Sequence, residues 1–135
     1  MQRRMYTLAG IMLLVIGLIG CGASSPPPQT ALKIMTMDFK YDQTKWVVPK
    51  NASISIQLEN KGTVEHEWVV LKKGQQISLP FSDDDEDKIF WEIEAEPNEA
   101  KTETFTSPAE PGMYEIVCGI PAHIEQGMKA SLEVK

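Results

Sequence analysis

The sequence has few of the residues that build disulfide frameworks or multi-metal sites: 135 residues include only two cysteines and two histidines. Basic residues are also in the minority, since 13 lysines and arginines stand against 19 aspartates and glutamates, for a net charge of −6. A surface of this sign argues against nucleic acid as a partner and favours cationic proteins. No window of the main domain has the period of a long amphipathic helix, which excludes a mainly helical fold.

The start of the chain has the pattern of an export signal. Arg3 and Arg4 form a basic start, and the apolar run at residues 8–19 is too short to span a bilayer comfortably. The run ends in Leu-Ile-Gly-Cys, which resembles the lipobox of bacterial lipoproteins. We therefore expect residues 1–20 to be a lipoprotein signal peptide and lipid on Cys21 to anchor the chain to a membrane, on its periplasmic or extracytoplasmic face. An ordinary signal peptide or an uncleaved anchor is the alternative.

A short polar segment separates Cys21 from the rest of the chain. Residues 22–30 are small, polar and proline-rich, so residues 21–30 are interpreted as a lipidated cysteine with a tether, and residues 31–135 as one domain. Cleavage after residue 20 would remove two arginines and no carboxylate, which takes the net charge from −6 to −8. With lipid on Cys21, Cys118 has no disulfide partner, and a lone thiol in an oxidising compartment is a liability unless something occupies it.

Short segments with two-residue alternation dominate the domain and predict an all-β fold. Residues 31–41 are predicted to form the first strand, with an irregularity. Residues 53–59 alternate cleanly. The apolar residues on one face of this segment are Ile54, Ile56 and Leu58.

A later segment, residues 65–72, combines a strand pattern with a histidine. His66 shares a face with Trp68 and Val70, so this strand would deliver the histidine to the rim of a sandwich. Residues 75–88 have no strand pattern and are expected to form a short irregular or helical flap before another strand.

The last part of the chain contains Cys118, His123 and Met128 at the spacing C-x4-H-x4-M, and the other histidine is His66. A thiolate, two imidazoles and a thioether are the donors that suit copper cycling between two oxidation states. A chance occurrence of this spacing has a probability on the order of 10⁻³. The alternative is an inert buried thiol, two satisfied histidines and a methionine that fills space.

The residues around these donors resemble those of the cupredoxins. Residues 112–118 resemble the G-x-Y-x-x-x-C strand of that family, and residues 118–123 are similar to its C-x-x-P-G-H loop, with a loop length most like that of auracyanins. The resemblance implies a Greek-key β-sandwich of about eight strands with one type 1 copper ion at one end. By the same resemblance, the copper ligands are His66, Cys118, His123 and Met128.

Two residues depart from the cupredoxin pattern. Glu67 stands where the family usually has an asparagine that ties the two ligand segments together, so the surroundings of the ligands are expected to be looser or differently satisfied. Ala122 replaces the common glycine before the second histidine, which predicts an ordinary negative φ there. Asn60, Glu67 and Tyr114 are the candidates for residues that support the ligands.

Two surfaces are candidates for contact with partners. The resemblance to cupredoxins implies that Ile120, Pro121 and Ile124 form an apolar electron-exchange surface around His123, and the alternative is that they simply bury the loop. An acidic run is expected either to be a solvated loop or to dock a basic redox protein. The run consists of Asp83, Asp84, Asp85, Glu86 and Asp87.

These observations predict a membrane-tethered, monomeric one-electron carrier that exchanges electrons with redox proteins such as a cytochrome or a terminal oxidase. We do not expect an enzyme, because the multicopper oxidases and nitrite reductases of this superfamily need further histidines and a binuclear site needs a second cysteine in the loop. A chaperone or storage lipoprotein that delivers copper to an oxidase is the main alternative, and a domain of purely structural use is another.

Overall fold

The computed structural model describes residues 26–135. This part of the chain forms nine strands and one short 3₁₀ helix, and none of its helices is long and apolar enough to cross a membrane. The expected signal peptide, Cys21 and the first half of the tether lie outside the described residues. The elements are β1 (Ala31–Met37), β2 (Lys40–Tyr41), β3 (Lys45–Val48), β4 (Ser53–Asn60), β5 (His66–Leu71), the 3₁₀ helix (Asp83–Lys88), β6 (Ile89–Ala95), β7 (Ala100–Thr106), β8 (Gly112–Val117) and β9 (Lys129–Val134).

The strands form two sheets that pack on a shared core. One sheet has the order β2-β1-β4-β7, and the other has the order β3-β9-β8-β5-β6. Strand β1 pairs in parallel with β4, and β3 pairs in parallel with β9, while the other pairings are antiparallel. Neighbouring strands are therefore often distant in sequence, as in sandwiches with Greek-key connections. The predicted all-β sandwich is confirmed.

The alternation of β4 explains how the core forms. Ile54, Ile56 and Leu58 are fully buried, whereas Ser55 and Gln57 between them are exposed. Each such burial stabilises the fold by about 1.5–3 kcal/mol relative to an exposed side chain. The facing sheet contributes Trp68, Val70, Ile116 and Leu132 to the same cluster.

Strand β5 differs from β4 because both of its faces are largely buried. His66, Trp68 and Val70 face the core as predicted, but Val69 and Leu71 on the other face are buried as well. Residues from the connection between β5 and β6 cover that second face. The second apolar cluster consists of Val69, Leu71, Val117 and Ile124, with Ile77, Phe81 and Ile89 packed against it.

The segment predicted as one strand over residues 31–41 is two strands joined by a tight turn. Met37 ends β1, Lys40 begins β2, and these two residues pair with each other. Phe39 has a φ of +64°, a left-handed conformation that bulky side chains rarely adopt. This division of the first strand accounts for a ninth strand.

The predicted flap at residues 75–88 is confirmed as an irregular segment that ends in the 3₁₀ helix. Ser82 precedes the helix, and its backbone N–H donates to Asp85 Oδ2 at 3.2 Å. Asp85 also accepts a hydrogen bond from Lys88 Nζ at 2.7 Å and is only 4% exposed. This carboxylate therefore holds the flap together.

Candidate metal centre

The four predicted ligands lie buried at one end of the sandwich. His66 is the first residue of β5, and Cys118 follows the last residue of β8. Since β5 and β8 are antiparallel, the start of one lies beside the end of the other. The loop of residues 118–128, which we call the ligand loop, then contains His123 and Met128 before β9 begins. Each of the four residues is at most 3% exposed.

The side chains of three of them converge. Cys118 Sγ lies 3.2 Å from His123 Nδ1, and the ring centroids of His66 and His123 are 4.9 Å apart. Backbone hydrogen bonds tie Met128 to the same group. The Met128 N–H donates to the His123 carbonyl at 3.0 Å, and the Cys118 N–H donates to the Met128 carbonyl at 3.4 Å.

Asn60 fixes the protonation pattern of His66. The Asn60 Nδ2 donates to the carbonyls of Val64 and Ala95, and its Oδ1 accepts from the Gly62 N–H at 2.8 Å. The same Oδ1 lies 2.9 Å from His66 Nδ1, so this nitrogen must carry the proton. The lone pair is then on His66 Nε2, which is buried without a hydrogen-bond partner in the structure. A buried lone pair of this kind suits a metal ligand, because metal-bound histidines usually donate their other N–H.

The packing around His66 also explains why residue 62 is a glycine. A Cβ on Gly62 would collide with His66 Cε1 and with Asp38 Oδ1, so only glycine lets this loop pass so close to the imidazole.

The electrostatics of the four predicted ligands suit a metal cation. Burial lowers the pKa of His66 and of His123 and outweighs the nearby Asp38 carboxylate, which raises both, so burial favours the neutral form of each ring. Burial raises the pKa of the Cys118 thiol to about 11. Such a thiol stays protonated at neutral pH unless a metal ion replaces the proton. Two imidazoles, a thiol whose proton a metal ion can replace and a thioether form a donor set that fits a copper ion.

Glu67 joins the two segments that supply the ligands. Its backbone N–H points at Cys118 Sγ at 3.4 Å, and its Oε2 accepts from the Gly119 N–H at 2.9 Å. Its carbonyl accepts from the Tyr41 hydroxyl at 2.7 Å. A Cβ on Gly119 would come within 2.6 Å of Glu67 Oε2, so glycine is needed for this approach. The Glu67 side chain, which is longer than the asparagine usual at this position in cupredoxins, thus connects the start of β5 to the ligand loop.

A cluster of carboxylates surrounds this connection on the outer side of the sheet. Oxygens of Glu65, Glu67 and Glu94 lie within 4.8 Å of one another. Burial raises the pKa of Glu67 to about 7, the Gly119 N–H lowers it, and the nearby charge of Glu92 raises it. The end of the domain that contains the four predicted ligands therefore borders a strongly acidic surface.

The prediction for Ala122 is wrong. Its φ is +71°, a left-handed value, where the replacement of glycine by alanine predicted a negative φ. The loop needs this conformation because the His123 N–H donates to the Ile120 carbonyl and the Gln126 N–H donates to the Ala122 carbonyl, which closes tight turns on both sides. The left-handed conformation costs an alanine about 1–2 kcal/mol.

Not all the predicted supporting and surface residues lie where the sequence suggested. The Tyr114 hydroxyl donates to the Glu110 carbonyl at 2.7 Å, away from the ligands. Pro121 is exposed and Ile120 is half-buried, but Ile124 is only 3% exposed. Ile124 belongs to the second apolar cluster because the segment between β5 and β6 covers it, so it is not part of an exchange surface.

The acidic run is also divided by the fold. Asp85 is buried and paired with Lys88, so it does not offer its charge to a partner. The other four carboxylates are exposed, namely Asp83, Asp84, Glu86 and Asp87.

Two aromatic residues near the centre were not predicted as site residues. Tyr41 is buried and holds the Glu67 carbonyl, and the ring of Phe39 contacts the His123 imidazole with centroids 5.1 Å apart. The sequence signals that could have revealed them are weak, because both belong to a segment that alternates like an ordinary strand.

Comparison with known proteins identifies the family. Residues 10–129 match the cupredoxin-like domain. The chain belongs to this family. Auracyanin-B of Chloroflexus aurantiacus is 26% identical to this cupredoxin over an alignment of 110 residues, and the match covers 70% of this chain and 46% of that protein. The chain thus spans about half the length of the curated relative it matches.

Solved structures show the same architecture. The dithionite-reduced auracyanin of the photosynthetic bacterium Roseiflexus castenholzii superposes with a TM-score of 0.69 and 27% identity, covering 81% of this chain and 99% of that one. Auracyanin A of Chloroflexus aurantiacus, a blue copper protein, gives 0.66 with 24% identity over 78% of this chain and 98% of its own. Rusticyanin of Thiobacillus ferrooxidans gives 0.59 with 16% identity over 79% of each chain, which is a likeness of fold alone.

Proposed function

We propose that this cupredoxin binds one copper ion with His66, Cys118, His123 and Met128 and carries single electrons between redox proteins. The observation that carries the proposal is the buried meeting of Cys118 Sγ, His123 Nδ1 and a His66 ring whose Nε2 has no hydrogen-bond partner. The family and the blue copper proteins among its structural relatives support the same reading. Copper would supply a one-electron couple between Cu(I) and Cu(II).

The protein's own contribution is to hold the donors fixed and away from water. Asn60 orients the His66 ring and keeps its proton on Nδ1. The Glu67 N–H, pointing at Cys118 Sγ, would stabilise negative charge on the sulfur. Donors that are fixed in this way need little rearrangement when an electron enters or leaves.

Burial of the donors favours a carrier over a protein that delivers or stores copper. Transfer of the ion to another protein requires donors that an acceptor can reach, whereas these four residues are at most 3% exposed. With two histidines in the whole sequence, both assigned to one ion, we propose a carrier and not an enzyme.

The test is titration of the purified protein with Cu(II). We expect one equivalent to produce an intense visible charge-transfer band between thiolate and copper, which a reductant bleaches and an oxidant restores. Cys118→Ala should abolish the band, whereas Met113→Ala, which changes an exposed sulfur on β8, should not. A colourless product that loses copper readily to a chelator would favour delivery over electron transfer.

We also propose that the domain works outside the cytoplasmic membrane, tethered through lipid on Cys21. The pattern of the first 21 residues supports this location. Mass spectrometry of the N-terminal peptide from a bacterial host should find Cys21 as the first residue and acylated. Cys21→Ala should then release the protein from the membrane fraction, and an unmodified peptide that begins before Cys21 would contradict the proposal.

For its redox partners we propose proteins with a basic surface, such as a cytochrome or a terminal oxidase. The four exposed carboxylates Asp83, Asp84, Glu86 and Asp87 support this, since opposite charges steer association. Replacing these four by their amides should slow electron exchange with a basic cytochrome and weaken its salt dependence. Asp42→Asn, another exposed carboxylate, is the matched control, and unchanged kinetics in the fourfold variant would refute the steering role.

A further inference from the structure

The ring of Phe39 makes an edge-to-face contact with the imidazole of His123. Their centroids are 5.1 Å apart and their planes meet at 78°. Phe39 is nevertheless 40% exposed and belongs to neither apolar cluster of the described residues. Its contact with His123 is therefore not a by-product of burial in the core.

The backbone holds Phe39 in this position at a local cost. Its φ of +64° is disfavoured for a phenylalanine, and turn positions of this kind usually carry glycine or asparagine. The neighbouring Asp38 anchors the turn, because its two carboxylate oxygens accept from the N–H and the hydroxyl of Thr63 at 2.7 and 2.9 Å. Thr63 lies in the loop that leads to His66, so the turn is tied to the segment that supplies the first ligand.

We propose that Phe39 is a positioning residue for His123: its ring restricts the imidazole to one rotamer and covers one side of it from water. The consequence for copper rests on the proposed function, but the contact itself exists without the metal. A strained, exposed phenylalanine gains little from the core, and backbone strain of this kind is concentrated at functional sites.

Four variants of the whole protein test this role. Phe39→Asn removes the ring but tolerates the left-handed backbone, and Phe39→Leu removes the ring while it keeps an apolar side chain. Phe39→Tyr keeps the ring and is the conservative rescue. Phe90→Ala is the matched control, because Phe90 on β6 is also 40% exposed and makes none of the ring contacts found in the described part of the chain.

The first measurement uses the metal-free protein. NMR couplings and imidazole shifts of His123 report its rotamers and the ring current of Phe39. In Phe39→Asn and Phe39→Leu we expect the population of other rotamers to rise by about two- to tenfold, which corresponds to the usual strength of an aromatic pair. Phe39→Tyr and Phe90→Ala should match the wild type. Unchanged rotamer populations of His123 in both ring-less variants would overturn the proposal. Phe39→Tyr populations that resemble those of the ring-less variants would also overturn it.

The second measurement uses copper-loaded protein and azide as a probe of access to the ion. Loss of the covering ring should increase the apparent azide affinity by the same factor of about two to ten. If the wild type binds no copper, the proposed function fails and the metal-free NMR result still decides the role of Phe39. If copper binds and His123 is insensitive to Phe39, this inference alone fails.

Discussion

Strand β4 and the ligand loop use their residues in opposite ways. In β4 every second side chain is buried, these side chains are apolar up to Leu58, and both neighbours of the strand pair with it in regular register. The ligand loop instead buries polar donors, bonds mainly to itself and has left-handed residues at Ala122 and Gly127. The sandwich thus supplies the free energy of folding, and the loop uses part of it to keep donors in one place. Substitutions in the two regions should therefore change different properties.

The largest effect on stability is expected for Ile54→Ala in β4. Ile54 is fully buried and pairs with Phe105 at the end of the strand remote from Asn60. Truncation should lower the free energy of unfolding by about 2–5 kcal/mol, measured by urea denaturation of the metal-free protein. The copper charge-transfer band of the folded variant should keep its wavelength. A shifted band would show that the two regions are not separable.

Asn60→Ala should affect both regions, because Asn60 ends β4 and orients His66. The change leaves the carbonyls of Val64 and Ala95 and the N–H of Gly62 without their partner. We expect a loss of about 3 kcal/mol in the free energy of unfolding, together with weaker copper binding. Gln57→Ala, an exposed position of the same strand, is the control and should change neither property. Normal copper affinity in Asn60→Ala would argue against its role in orienting His66.

A smaller effect is expected at Glu67, whose carboxylate reaches the ligand loop. Glu67→Ala leaves the Gly119 N–H without its acceptor and should cost about 1–2 kcal/mol, whereas Glu67→Gln keeps an acceptor oxygen and should cost less. Amide hydrogen exchange at Gly119 checks the mechanism, since it should accelerate in the alanine variant only. Equal exchange rates in both variants would show that the bond does not hold the loop.

The smallest effect, of opposite sign, is expected for Ala122→Gly. Glycine removes a left-handed strain of about 1–2 kcal/mol and adds entropy to the unfolded chain, so the net gain should be about 0.5 kcal/mol. Ala130→Gly, in the regular strand β9, should instead destabilise the fold by about 0.5–1 kcal/mol. Thermal unfolding of both variants measures the contrast, and losses at both positions would refute the strain at Ala122.

Two different sequence patterns predict β4 and the ligand loop, namely two-residue alternation and the spacing of the donor residues. The wrong predictions concern residues that neither pattern describes. Alternation locates Ile54, Ile56 and Leu58 because burial on one face follows directly from strand geometry. The spacing of Cys118, His123 and Met128 identifies candidate donors because few patterns combine these residue types.

Local sequence patterns do not predict backbone conformation, nor do they predict burial by residues that are distant in the chain. The left-handed φ of Ala122 is imposed by turns that the loop closes around it, against the residue's own preference. Ile124 is buried by Val69, Leu71 and a flap from a distant part of the chain, and nothing local to Ile124 encodes that contact. The connection from Glu67 to Gly119 likewise depends on the antiparallel packing of β5 and β8.

X-ray absorption spectroscopy of the copper-loaded protein identifies the atoms that bind the ion. Copper bound by His66, Cys118, His123 and Met128 predicts one short copper–sulfur distance and two copper–nitrogen distances, with the short sulfur contribution lost in Cys118→Ala. A coordination shell of oxygen and nitrogen alone, unchanged in that variant, would show that copper binds elsewhere and would refute the proposed centre.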